Sequence, residues 1–315
     1  MLYKHFTRDD RVKLSVLLKT GVKIEKIGGI LHKNPVSIWR EIKRNSIQEK
    51  YVPSRAKKFS RERKTHRKKK IENDARLKKY ILEKLKLFWS PEQIAGRLRR
   101  KKIVICHETI YGYIIRNKKL KKYLRCQKGR YRRRHGTVVR EKTREYEKKR
   151  WIGERPDIIN ARGRIGDWEG DTIIGLERTK RILTHVERRT GYLIADFLPI
   201  VSADIVVEKT AENFRKLPKE KRHSITYDNG TEFSAHEMIE KKTRATIYFA
   251  NPYHSWERGT NENTNGLIRQ FFPKRSSFAN ITQEDVERVA RLLNRRPRKK
   301  LNYLTPFETF HCTSF

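Results

Sequence analysis

The chain has 315 residues, of which 77 are Lys or Arg and 36 are Asp or Glu, giving a formal net charge of +41. This length predicts two to four domains, and the charge indicates a polyanionic partner such as DNA, although RNA or acidic lipid would also satisfy it. Three widely spaced cysteines argue against a disulfide scaffold, and the lack of a signal-like or membrane-length apolar run favours a cytoplasmic, nucleoid-associated protein with no membrane partner.

The positive charge is uneven along the chain. Residues 1–150 hold 49 Lys and Arg against 14 Asp and Glu, whereas residues 151–315 hold 28 against 22. The first half is therefore expected to contact a polyanion, and the second half has the charge balance of an ordinary α/β domain.

Residues 1–50 predict a helix-turn-helix DNA-binding domain of three short helices. Thr7 with Asp10 resembles a capping box, and Asn34 with Pro35 supplies a cap and a first-position proline for the third helix. The outward side of that third helix offers three side chains for DNA contacts: Ser37, Arg40 and Arg44. A plain three-helix bundle is the alternative interpretation.

Two basic segments are interpreted as linkers. Residues 51–73 carry a dense Lys and Arg run that repels itself and is expected to be loose without a partner. Phosphate contacts are expected from four cations of this run: Lys57, Lys58, Arg61 and Arg63. The second linker, residues 126–155, offers the minor groove three arginines: Arg132, Arg133 and Arg134. The first segment can be a solvated linker and also order on phosphates, whereas a merely flexible tether explains the second equally well.

Residues 74–125 predict a second helix-turn-helix domain. The run Ser-Pro-Glu-Gln at residues 90–93 combines a cap, a first-position proline and a glutamine three residues on, which is typical of a helix start. A short helix near residues 107–114 has three outward candidates, His107, Thr109 and Tyr113, of which Thr109 is the expected DNA contact. A dimerisation or packing module is the alternative interpretation.

Residues 156–315 predict an α/β catalytic domain. Three strand-like runs in hairpin order precede alternating helices and strands, which predicts a mixed central sheet flanked by helices, the order found in ribonuclease H-like domains. The predicted fold class is therefore multidomain, with two α-helical helix-turn-helix units followed by an α/β ribonuclease H-like catalytic domain.

Three acidic residues stand where metal ligands would be wanted. Asp171 lies in a strand-like run, Asp228 follows another, and Glu262 lies in a predicted helix that also offers Arg269 to a phosphate. Because Mg²⁺ and Mn²⁺ prefer hard oxygen ligands, these carboxylates predict a site for two such ions, with Asp171 bridging them. Glu169, two residues before Asp171, is either a weaker ligand or a salt-bridge partner.

Several motifs resemble those of bacterial DDE transposases of the family named after insertion sequence thirty. They are Trp-Glu-Gly-Asp at residues 168–171, Asp-Asn-Gly-Thr-Glu-Phe at residues 228–233, and Gly-Thr-Asn-Glu-Asn-Thr-Asn-Gly-Leu-Ile-Arg-Gln-Phe-Phe-Pro-Lys at residues 259–274. The 33 residues between Asp228 and Glu262 match the family's spacing, and residues 293–308 resemble its C-terminal signature. Trp39 departs from the small polar residue usual in the family, which puts base reading by the third helix in doubt.

The resemblance implies a Mg²⁺-dependent transposase with Asp171, Asp228 and Glu262 as its acidic triad. Such an enzyme binds the terminal inverted repeats of its element, cleaves a strand and transfers the 3′-hydroxyl to target DNA. Since two ends must be held, a homodimer or larger assembly is expected. A sequence-specific regulator with an inactive catalytic domain is the alternative, and a ribonuclease acting on RNA–DNA hybrids would not explain the tandem DNA-binding units.

Overall fold

A computed structural model describes residues 5–65, 70–125, 149–252 and 255–312. Packing divides the chain into two compact units, Met1–Ala75 and Arg76–Phe315. No helix in the described ranges is long and apolar enough to cross a membrane.

The first unit is built from short helices and a small antiparallel ribbon. Its elements are α1 (Arg8–Lys19), α2 (Ile24–Ile30), α3 (Pro35–Asn45), β1 (Ser46–Ile47), β2 (Lys50–Tyr51) and α4 (Pro53–Thr65). The predicted capping box is present, since Asp10 N donates to Thr7 Oγ1 at 3.1 Å and Thr7 N donates to Asp10 Oδ2 at 2.8 Å. Its core contains Leu14, Ile27, Leu31, Ile38, Tyr51 and Ala56. The three predicted helices are therefore confirmed.

The basic run after Tyr51 differs from the prediction of a loose linker, because most of it is helix α4. Ala56 is buried in the core of the unit, and Arg63 donates to the carbonyl oxygen of Arg44 at 3.2 Å and to Asn45 Oδ1 at 2.5 Å. Lys and Arg have good helix propensity, and a helix lets their charges spread around its surface while one apolar face packs. Charge density alone predicted the wrong local structure here.

The second unit begins with helices and continues into a five-stranded sheet. Its first helices are α5 (Ala75–Lys86), α6 (Pro91–Arg100) and α7 (His107–Arg116), followed by the short α8 (Asp157–Asn160). The strands are β3 (Asp167–Ile174), β4 (Arg181–Glu187), β5 (Leu193–Leu198), β6 (Ser224–Tyr227) and β7 (Thr246–Phe249). The remaining helices are α9 (Ala203–Arg215), α10 (His236–Thr243), α11 (Gly259–Ile268), α12 (Gln283–Asn294) and α13 (Pro306–His311).

The sheet is mixed, as the sequence predicted. Its strand order is β5-β4-β3-β6-β7, with antiparallel pairing from β5 to β3 and parallel pairing from β3 to β7. Strand β3 is therefore central, with a hairpin partner on one side and a parallel partner on the other. The assignment of this sheet to the ribonuclease H-like class stays a prediction.

Helices cover both faces of the sheet. One face packs against α9, α10 and α13 through a core that includes Trp168, Phe214, Tyr227, Phe249 and Phe310. The other packs against α11 and α12 through a core that includes Ile173, Val186, Leu267, Phe278 and Leu293. Because side chains alternate along a strand, Trp168 faces the first core, while Glu169 and Asp171 face the side of α11.

The second helical segment packs with the sheet in one compact unit. Its predicted helix start is confirmed, since Gln93 N donates to Ser90 Oγ at 3.2 Å and Ser90 N donates to Gln93 Oε1 at 2.9 Å. The ring of Phe88 meets that of Phe271 edge to face at 5.1 Å between centroids. The predicted division of the chain at residues 50, 73, 125 and 155 stays a prediction.

Candidate active site

Asp171, on β3, and Asp228, which follows β6, are neighbours on two parallel segments of the chain. The register of β3 with β6 pairs Glu169 with Thr226, and continuing it by two residues places Asp171 beside Asp228, just past the end of β6. The turn after β6 is held by Asp228 itself, whose Oδ1 accepts from Gly230 N at 3.0 Å. Two carboxylates remote in sequence therefore meet where the shorter strand β6 ends beside β3.

Arg258 joins these two carboxylates. Its Nη2 donates to Asp228 Oδ2 at 3.1 Å, and its Nη1 lies 3.6 Å from Asp171 Oδ1 and donates to the carbonyl oxygen of Gly170 at 3.2 Å. The side chain of Arg258 is only 11% exposed. A single guanidinium thus balances both acids in a partly dry setting, where like charges on adjacent strands would otherwise repel each other.

Glu262 lies on α11, beside Asp171 in one groove. The groove has a volume of about 830 Å³, and both residues line it together with Arg258 and Asn265. Asn265 Nδ2 donates to Asp171 Oδ2 at 2.7 Å, so α11 touches the first acid directly. Glu262 itself is exposed. Asp228 is linked to the groove by its hydrogen bond with Arg258, which lines it. Arg258 contacts both Asp171 and Asp228, and Glu262 shares a groove with Asp171.

Burial raises the pKa of the Asp171 carboxyl to about 6, and the charge of Asp228 adds to the rise. Arg258 opposes this rise in pKa, as do the hydrogen bonds from Thr172 N and Asn265. The carboxylate form of Asp171 is therefore costly in this position and would be favoured by an additional positive charge. That is the electrostatic character expected of a cation ligand.

The chemistry of the three acids fits a hard divalent cation, because all three offer carboxylate oxygens. Within the described part of the chain, no three His, Cys, Asp or Glu side chains lie together as a metal-holding group. Arg258 contacts both Asp171 and Asp228, and the Glu262 side chain is exposed to solvent. The role of these acids as metal ligands stays a prediction.

Cations surround the groove. Arg125, Arg269 and Lys274 line it, and a Cβ on Gly266 would lie 2.9 Å from Arg125 Nη2. Arg269 lines the groove and donates to the carbonyl oxygen of Ile174 at 2.9 Å, and its predicted phosphate contact stays a prediction. A negatively charged strand would meet these positive charges on its way to the acids.

Most predicted DNA contacts of the first unit face solvent. Arg40 and Arg44 are exposed and Ser37 is half-buried, all on α3. Trp39 is 48% exposed beside them, with Lys43 Nζ 4.6 Å from its ring centroid. The aromatic departure from the family pattern therefore lies on the same outer surface as the candidate base contacts.

The remaining predicted contacts have mixed outcomes. On α4, Lys57, Lys58, Arg61 and Arg63 are exposed, although Arg63 also holds α4 to the end of α3. In α7, Thr109 and His107 are exposed, but Tyr113 is 4% exposed, so its predicted outward placement was wrong. Tyr113 lies one helical turn from Ile110, on the face that packs inward. Three predicted contacts lie outside the described residues: Arg132, Arg133 and Arg134.

Two residues at the site were missed by sequence reasoning. Arg258 lies in the Glu-Arg-Gly stretch before α11, where only its proximity to Glu262 in sequence could have suggested a role. Lys149 donates to Asn229 Oδ1 at 3.2 Å, and burial lowers the pKa of Lys149, an effect that the nearby charge of Asp228 only partly opposes. Lys149 was missed because it lies at the end of a basic run that was interpreted as a linker.

Several curated proteins with similar sequences are transposases. The chain is 39% identical over 98% of its length, and 95% of the relative's, to the transposase for insertion sequence element IS4351 of Bacteroides fragilis. It is 36% identical over 96% of its length, and 82% of the relative's, to the transposase InsI for insertion sequence element IS30A of Escherichia coli. It is also 26% identical over 98% of its length to a putative integrase of a Spiroplasma virus. No family model matches the chain.

Proposed function

This chain belongs to the IS30 family of insertion-sequence transposases, and we propose that it moves DNA by metal-dependent strand cleavage and 3′-hydroxyl transfer at Asp171, Asp228 and Glu262. Its substrates in this proposal are the terminal inverted repeats of its element and a target duplex. The enzyme acts on nucleoid DNA as a homodimer or larger assembly, because two element ends must be joined in one event.

The observation that carries this proposal is the adjacency of Asp171, on the central strand β3, and Asp228, just past the end of β6, with Arg258 contacting both and Glu262 lining the same groove as Asp171. Asp171 and Asp228 lie side by side, and burial together with the charge of Asp228 raises the pKa of Asp171. A bound cation would stabilise both carboxylates in their ionised form.

Asp171, Asp228 and Glu262 would hold two Mg²⁺ or Mn²⁺ ions. Such ions would supply positive charge that stabilises the attacking and leaving oxygens. The chain's own residues do the positioning. Asn265 orients the Asp171 carboxylate, and Arg125 and Arg269 offer donors to phosphate oxygens along the groove. The exposed cations of α3 and α4 supply binding energy that is independent of the chemistry.

The test is strand cleavage and strand transfer with Mg²⁺ on a duplex carrying an element end. Asp171→Asn, Asp228→Asn and Glu262→Gln should each abolish both reactions while the full-length protein still binds the duplex. Asp204→Asn is the matched control, because Asp204 is an exposed acid on α9, which packs on the opposite face of the sheet. Normal strand transfer by Asp228→Asn protein would refute the assignment.

The same experiment separates this function from a DNA-binding regulator with an inactive catalytic domain. A regulator would protect the element end from nuclease and show no Mg²⁺-dependent cleavage in the unaltered protein. The three acid variants would then be indistinguishable from the unaltered chain in every assay.

A further inference from the structure

Glu169 is a buried carboxylate with both oxygens engaged. Its Oε1 accepts from Arg188 Nη1 at 2.7 Å, and its Oε2 accepts from the backbone N of Asn261 at 2.9 Å. Glu169 and Asn261 are each 1% exposed and Arg188 is 5% exposed. The sequence left Glu169 as either a weak metal ligand or a salt-bridge partner, and its contacts are those of the salt-bridge partner.

The second contact of Glu169 reaches the start of α11. Asn261 is the third residue of that helix, so its N–H is one of the first four that have no acceptor within the helix. A carboxylate placed there satisfies the donor and interacts favourably with the positive end of the helix dipole. Glu169 therefore anchors the helix that carries Glu262, the very next residue.

A second hydrogen bond joins β3 to α11 one helical turn later. Asp171, two residues after Glu169 on β3, accepts from Asn265, four residues after Asn261 on α11. Two residues of strand advance about 6.6 Å and four residues of helix about 6 Å, so the two spacings match. The strand and the helix are thus held in register at two points, and Glu262 lies between them.

We propose that Glu169 is a positioning residue that sets the reach of Glu262 toward Asp171, by accepting the N–H of Asn261. The inference rests on the proposed metal-dependent function. One strand then carries both a cation ligand and the anchor of the helix that supplies another ligand. A slip of α11 along β3 would move Glu262 away from Asp171 without unfolding the sheet.

The experiment compares two double variants of the full chain that both remove the buried ion pair. Glu169→Gln with Arg188→Met keeps an acceptor for Asn261 N, whereas Glu169→Met with Arg188→Met removes it. Because both lack the charges, any difference between them reports the acceptor alone. Mn²⁺ binding without DNA is measured by electron paramagnetic resonance, and folding is measured by circular dichroism.

The acceptor-keeping variant should bind Mn²⁺ nearly as well as the unaltered chain, and the acceptor-lacking variant should bind roughly 10–100-fold more weakly, as is usual when a partner of a metal ligand is lost. Equal Mn²⁺ affinity in the two variants would overturn the proposal. Asp171→Asn is measured in parallel. If it too binds Mn²⁺ normally, the metal site itself is wrong, whereas a loss confined to Asp171→Asn rejects only the positioning role.

Glu169→Asp gives a second route should the acceptor-lacking variant not fold. The shorter side chain keeps the charge that balances Arg188 but draws back from Asn261 N. Weakened Mn²⁺ binding with an unchanged circular dichroism spectrum is the expected result. Full Mn²⁺ affinity in this folded variant would also overturn the proposal.

Discussion

Gly96 of α6 lies against the ring of Tyr303, so closely that a Cβ on Gly96 would be 2.2 Å from the ring carbon Cδ1. Next to this contact, Arg97 pairs with Glu308 and donates to the carbonyl oxygen of Tyr303 at 3.2 Å. Arg100 donates to the carbonyl oxygen of Asn302 at 3.1 Å. The C-terminal segment that resembles a family signature thus packs directly against α6.

Gly96→Ala should therefore destabilise the second unit. Overpacking costs about 1–3 kcal/mol, which outweighs the roughly 1 kcal/mol that a helix gains from Ala over Gly. Urea unfolding of the full chain should show a lower midpoint, and limited proteolysis should cut between residues 97 and 125 sooner. Gly112→Ala in α7 is the control, because its Cβ would meet only Arg116 Nη1 at 3.6 Å, and it should be neutral or stabilising.

Removal of Arg258 should make stability depend more strongly on Mg²⁺. Arg258→Gln leaves Asp171 and Asp228 adjacent without their shared counter-charge, at a cost of about 1–3 kcal/mol. A divalent cation at the acids would restore the balance, so the melting temperature of this variant should rise more on adding Mg²⁺ than that of the unaltered chain. Arg269→Gln removes a guanidinium that is hydrogen-bonded to carbonyl oxygens. The stability that this variant loses should therefore be the same with and without Mg²⁺. An equal response of both variants would contradict the prediction.

Stability should fall in acid partly because of His185. Burial lowers the pKa of His185 to about 3, and its Nε2 lies 2.9 Å from the Tyr227 hydroxyl. The folded chain keeps this ring neutral while the unfolded chain takes up a proton below about pH 6.5, so stability is present above that pH and is lost as pH falls toward 3. The loss is about 1.4 kcal/mol per pH unit for one proton.

His185→Gln should therefore be less stable than the unaltered chain at pH 7 and should approach it at pH 5. Urea unfolding at both pH values measures the difference in stability between this variant and the unaltered chain. His107→Gln, at an exposed histidine, should leave the pH dependence of stability unchanged. A gap of the same size at pH 5 and pH 7 would show that another group governs the acid response.

Binding to DNA should depend steeply on salt through α4 and on sequence through α3. Reversing the charges of Lys57 and Lys58 to Glu should weaken binding to all duplexes and reduce the salt slope by about 2, since each phosphate contact contributes about 0.9. Arg40→Ala should weaken binding to element ends by about 1–3 kcal/mol and spare unrelated duplexes. Filter binding at several salt concentrations tests both, and a flat salt response would contradict the first.

The sequence predicted the local elements because their signals are local. Capping boxes join residues three apart, and strand alternation is legible over a few positions, so the helix starts at Thr7 and Ser90 and the strands of the mixed sheet were all predictable. Asp171 could also be placed on a strand, and Asp228 just after one, in this way.

Long-range contacts escaped the same reasoning. The run containing Lys57 was predicted to be loose and is helical, because burial of Ala56 depends on α1 and α3 rather than on charge. Tyr113 was assigned to the wrong face because helix spacing shows which residues share a face but not which face finds a partner.

By itself, the sequence determined the charge that draws this protein to DNA, the order of its helices and strands, and the identity of its three candidate acids. Only the tertiary structure decided that Arg258 lies between two of them and that Glu169 anchors the helix of the third. Those contacts join residues 30 and 92 positions apart, and no local pattern encodes a pairing that exists only after the sheet has brought its ends together.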